Sequence, residues 1–160
     1  MTYGSFSYGS TSYGGSVPFR RLTFDTKFFQ KKRFENKTVL KYFRNTTKDL
    51  GIAVRSKEPE VIFNFSYSAL VKIGIVLIFV CGYRVKSRVG HHIKILEKLS
   101  QILNDENIEI IGDRMRKKRN LDLYEGGIII SQREAKDYLD FTKRIIKKAE
   151  EYLKNQKSLF

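Results

Sequence analysis

The chain has one cysteine, Cys81, and two histidines, His91 and His92, in 160 residues. A single cysteine builds neither a disulfide framework nor a CxxC metal site, and its place inside an apolar run fits a reducing, cytoplasmic compartment. No Gly-rich phosphate loop, HExxH pair or metal-spaced Cys/His set occurs. P-loop phosphoryl transfer and zinc chemistry are therefore poor expectations, and no metal or cofactor is expected. Acidic residues are scarce: 17 Asp and Glu stand against 31 Lys and Arg, giving a net charge of +14 and a pI near 9.9. That balance favours a polyanionic partner, with nucleic acid first, nucleotide phosphate next and an anionic membrane third; the competing reading is a solvated lysine-rich surface. Long apolar runs are missing too. Ile73 to Gly82 (IGIVLIFVCG) falls well short of the roughly 20 residues a spanning helix needs. Flanked by Lys72, Arg84 and Lys86, it reads as a buried core helix, with an interfacial anchor as the lesser reading. The N-terminus has no basic region followed by an apolar one, so no secretory signal is expected.

The length and a hydrophobic fraction of 41% suit one domain with a tail. Residues 1–18 are Gly-, Ser- and Tyr-rich with SYG at 7–9 and 12–14, a composition too poor in apolar residues to offset ordering, and are expected to be a disordered tail. Tyr3, Tyr8 and Tyr13 are either inert there or stack on bases. Residues 19–33 form a basic, aromatic linker with no assigned element. The domain proper covers residues 34–154. Val39, Leu40, Phe43, Thr47, Leu50 and Val54 recur at helical steps, with Asn36 as N-cap. Pro59 fits the first turn of a second helix that runs to Cys81 and ends at Gly82. Tyr83 to His92 reads as a loop opening a third helix, Ile93 to Leu103, with Leu96, Leu99 and Leu103 inward. Asn104-Asp105 caps a fourth helix that stops at Gly126-Gly127, and Ser131 to Glu134 is a capping box for a fifth. The inward stripe of that last helix is Ala135, Leu139, Thr142, Ile145, Ile146, Ala149 and Leu153. Short connections between five helices predict an all-α antiparallel bundle.

Within the fourth helix Ile108, Ile111 and Met115 define an inward line that next meets Arg119 and Asp122. A charged pair on a core-facing line is either a local ion pair or a group held in a cleft for use. Arg114, Arg116, Lys117, Lys118 and Arg119, together with Arg84, Lys86 and Arg88, could neutralise several phosphates, against the reading of a solvated charged face. His91 and His92 could serve as acid or base near neutral pH. They are expected not to do so, because they precede the third helix and nothing in the sequence ties them to Arg119.

The order of KDLGIAV, NFSYSALVKIGIVLIFVCGYRV, GHH, RKKRNLDLYEGG and SQREAKDYLDFTKRIIKKAEEYL, from about Phe34 to Leu153, resembles the HEPN domain. The resemblance implies a helical bundle that commonly dimerises. It also implies RNA or a nucleotide as ligand, metal-independent RNase activity in toxin–antitoxin or stress-response systems, and a minimal nucleotidyltransferase as cognate antitoxin. The family's motif is an Arg, a polar residue directly after it, and a His a few residues further on. Arg119 and Asn120 match the first two positions, whereas Leu123, Tyr124 and Glu125 occupy the window for the third and no His lies there. Tyr124 is the residue at hand in its place. A phenol with an ordinary pKa of about 10 is a poor base for a ribose 2′-OH near neutral pH. Arg119 and Tyr124 lie about 140° apart on an unbroken helix, so they converge only if the helix unwinds before Gly126. A non-catalytic module that docks a nucleotidyltransferase or another partner is the alternative function.

Overall fold

The apolar steps of the sequence do become helices in the computed structural model, which describes residues 22–127 and 129–156 and, for residues 122–125, the backbone alone. The tail expected over residues 1–18 lies outside the described residues. Helix α1 spans Asn36–Arg55, α2 Pro59–Val80, α3 His91–Leu103, α4 Glu106–Glu125 and α5 Gln132–Asn155. Helix α2 is the centre, packed on α1, α3 and α5 and touching α4. Among its fully buried side chains are Phe63, Tyr67, Leu70, Ile73, Leu77 and Ile78. Fully burying each large apolar side chain stabilises the fold by about 1.5–3 kcal/mol. The expected bundle of five helices is the observed architecture.

Several local expectations are corrected. Asn36 is the first helical residue rather than the cap: Glu35 holds the cap position in an extended conformation, with no side-chain bond to the helix. Thr47 and Val54 point outward, and the buried line is Val39, Thr46, Asp49 and Ala53. Two polar residues can occupy that line because each is satisfied there. Thr46 Oγ1 donates to the Tyr42 carbonyl at 3.1 Å, while the Asp49 carboxylate accepts from Ser68 Oγ at 2.6 Å and pairs with Lys72 at 2.5 Å. An apolar-only reading of the period shifted the line by one residue.

The segment after α2 is not wholly a loop. Gly82, at φ +84°, reverses the chain so that β2 (Tyr83–Val85) pairs antiparallel with β1 (Phe29–Lys31), Phe29 facing Val85 and Lys31 facing Tyr83. Three-residue strands are too short for alternation to show, and their pairing is non-local. Phe29 is buried in this two-stranded sheet, and Phe24 stacks on Tyr83 with ring centroids 3.9 Å apart.

Helix α3 begins two residues earlier than expected, at His91, following Gly90 at φ +82°. Asp105 caps α4 by accepting from the Asn107 N–H at 3.1 Å, and Ser131 Oγ caps α5 by accepting from the Glu134 N–H at 3.1 Å. The expected α5 stripe is buried, joined by Tyr138 and Phe141. Glycine lets α3 approach both neighbours closely: a Cβ on Gly74 of α2 would stand 2.6 Å from Ile95 Cγ2, and one on Gly112 of α4 would stand 2.8 Å from Leu96 Cδ2. This close layering of α2, α3 and α4 carries the start of α3 to the middle of α2 and the second half of α4.

Candidate functional site

Three helices contribute polar side chains to a single cluster. Tyr67 follows Phe63 by one helical turn on the buried side of α2 and is only 1% exposed, so its hydroxyl needs a partner inside the protein. That partner is His92, in the first turn of α3, with Oη and Nδ1 2.9 Å apart. Above the same tyrosine ring lies Arg119 of α4, its guanidinium carbon 5.4 Å from the ring centroid, within cation–π range. Arg119 continues the buried line of Ile108, Ile111 and Met115 and is half-buried, as the helical spacing predicts. His91 completes the group, its ring meeting His92 edge-on at 4.5 Å. The two histidines thus open α3 rather than precede it, and His92 is tied to Arg119 through Tyr67. This corrects the expectation that nothing connects them.

Protonation states follow from burial. The Tyr67 phenol is pushed up to about 12, chiefly because burial penalises the phenolate, with Arg119 and Arg116 opposing. His92 is pushed down to about 4, first by burial and then by His91, Arg119 and Arg116, each of which disfavours an added positive charge. At neutral pH the pair is therefore a phenol and a neutral imidazole. Leaving a buried hydroxyl without its bond costs about 1–3 kcal/mol, so Tyr67 donates to Nδ1 and the imidazole proton sits on Nε2. At His91 the bonded nitrogen is instead a donor: Nδ1 donates to the Arg88 carbonyl at 2.6 Å, which leaves Nε2 outside that bond. The cluster can offer an anion a guanidinium and an imidazole N–H.

The remaining basic residues divide by pairing. Arg116 is tied to Asp113 through Nε at 2.9 Å, Lys117 reaches the other oxygen of Asp113 at 3.0 Å, and Lys118 pairs with Glu134 at 2.6 Å. Lys86 donates to the Thr26 carbonyl at 2.7 Å. Arg84, Arg88 and Arg114 are exposed, and no described carboxylate pairs with them or with Arg119. Asn120 is exposed on α4 beside Arg119. The side chains of Asp122 and Tyr124 lie outside the described residues. The α4 backbone stays helical through Glu125 before Gly126 turns left-handed at φ +85°. Positions 119 and 124 therefore remain about 140° apart, and the unwinding needed to bring them together does not occur.

Sequence reasoning missed Tyr67 and the placement of His92. A signal for the first existed: a hydroxyl-bearing ring inside the most apolar helix must find a hydrogen-bond partner. Among the described residues no cluster of His, Cys, Asp and Glu is arranged to hold a metal ion. The chain matches no protein-family model, no curated protein and no solved structure.

Proposed function

We propose that this chain is a HEPN-like RNA-binding protein that holds a backbone phosphate between Arg119 and the Nε2–H of His92. The observation that carries the reading is the half-buried guanidinium of Arg119, stacked over Tyr67 and paired with no described carboxylate. A guanidinium in that position can take an anion, and its planar fork matches phosphate oxygens two at a time. Net charge +14 and Arg84, Arg88 and Arg114, which no described carboxylate pairs, supply the wider field that draws a polyanion. The HEPN resemblance supports a toxin–antitoxin or stress-response setting, a homodimer and a cognate nucleotidyltransferase.

Binding rather than cleavage is favoured by the state of His92, whose Nδ1 is occupied by Tyr67 and whose Nε2 carries the proton. A second reading, cleavage, is favoured by His91, whose Nε2 stands outside the Arg88 bond beside this group. There the imidazole would take the proton of a ribose 2′-OH as O2′ attacks phosphorus, and the P–O5′ bond would break to leave a 2′,3′-cyclic phosphate and a 5′-oxygen protonated by water.

Fluorescence anisotropy with a single-stranded RNA oligonucleotide separates these cases. Arg119→Lys keeps the charge and loses the fork. It is expected to weaken binding by about fivefold or more, roughly 1 kcal/mol, with little change in melting temperature. A lowered melting temperature with unchanged affinity makes Arg119 a structural residue and defeats the proposal. Cyclic-phosphate products that disappear with His91→Ala would establish cleavage instead.

A further inference from the structure

Helix α5 turns a second, different face to solvent. Glu134 and Tyr138 face α4 and α2 through Lys118 and Phe63, whereas Lys136, Asp140 and Lys143 lie on the opposite side of the helix at 100° per residue. There the end of α1, the start of α2 and the first three turns of α5 enclose a groove of about 470 Å³. Its floor is apolar, made by Ala53, Ile62 and Leu139, and Val54 stands half-exposed at its edge. Arg133, Lys136 and Lys143 rim it, and none of the three pairs with a described carboxylate, although Asp140 stands among them.

We propose that this groove docks an acidic amphipathic helix of a partner protein. Its apolar stripe would lie on Val54 and Leu139 and its carboxylates on Arg133, Lys136 and Lys143. The floor selects the occupant: a basic rim alone suits RNA or protein, but an apolar floor gains only from a ligand that brings apolar side chains. From Gln132 to Lys143 the groove wall runs about 16 Å, long enough for anchors at i, i+3 or i+4, and i+7 of an incoming helix. The site lies on the α1–α5 edge, away from Tyr67, His92 and Arg119, and does not rest on the RNA-binding reading.

The probe is a fluorescein-labelled synthetic helix with leucine on one face and glutamate on the others, compared with a scrambled peptide of identical composition. The ordered peptide is expected to bind, and Val54→Asp and the double substitution Lys136→Glu, Lys143→Glu are each expected to weaken it about tenfold or more. The three substituted positions lie at the groove edge, so melting temperatures serve to confirm folding; RNA affinity is expected to stay unchanged with Val54→Asp and, in the double variant, to fall far less than peptide affinity, by no more than the lowered net charge accounts for. Equal binding of the scrambled peptide, no binding of the ordered one, or indifference to Val54→Asp overturns the proposal. So does a loss of RNA affinity in the Lys136, Lys143 variant with peptide binding intact, since the groove would then be a nucleic-acid track. Arg119→Lys, which tests the RNA site, is expected to leave peptide binding alone.

Discussion

His92 spends neutral pH uncharged because folding removes it from water and places it beside Arg116 and Arg119. An imidazole whose pKa falls from the ordinary 6.5 to about 4 on folding binds fewer protons in the native state than in the unfolded one across that interval. Its contribution to stability is therefore complete above about pH 6.5 and declines as pH falls towards 4, by about 1–2 kcal/mol after allowing for partial solvent screening. The lowered carboxyls of Glu97, Asp105 and Asp113 act with the same sign but below their ordinary values of 4.5, 3.8 and 3.8. Urea unfolding between pH 5 and 6.5 thus isolates the histidine. His92→Gln, still able to accept from Tyr67, is expected to flatten that slope; an unchanged slope would place the titration elsewhere. Arg119 was legible at this scale because a helical line of apolar residues pointed at it, whereas Tyr67 was passed over inside the most apolar helix.

At the scale of elements, the layering of α3 between α2 and α4 depends on two glycines in different surroundings. Replacing a mid-helix glycine by alanine ordinarily gains about 0.5–1 kcal/mol. At Gly74 the added methyl would meet Cγ2 of Ile95, which is fixed on a β-branched carbon and cannot rotate away. Overpacking then dominates, and Gly74→Ala is expected to destabilise by about 1–3 kcal/mol. Gly112 meets the movable tip of Leu96, so Gly112→Ala should cost less, a ranking that denaturation of the two variants decides. Helices with capping residues and apolar stripes were readable in advance, α5 almost in full. The β1–β2 pairing was not, because three residues carry too little pattern and their partners lie far apart in the chain.

Over the described residues, charge divides between cations that neighbouring carboxylates hold and cations that no described carboxylate pairs. If Arg84, Arg88, Arg114 and Arg119 each meet one phosphate of a single strand, the logarithm of affinity should fall with the logarithm of salt at a slope of about −3. A slope near zero would deny the polyanion its role, and one far steeper would enlist the paired lysines. Helix α2 is long and apolar enough to pass for a membrane span, with mean hydropathy 1.9 over its best window, yet 67% of that window is buried inside the bundle. Its apolarity is accounted for by the four helices around it.

Sequence alone determined which segments become helices, where α4 and α5 are capped, that a basic surface would result and that Arg119 would face inward. Those properties depend on neighbours within a few residues, where period and capping chemistry act directly. The tertiary structure decided what Arg119 meets. Tyr67 and His92 are 25 residues apart, and they join Arg119 only because Gly74 and Gly112 let three helices pack closely enough for their side chains to share one site.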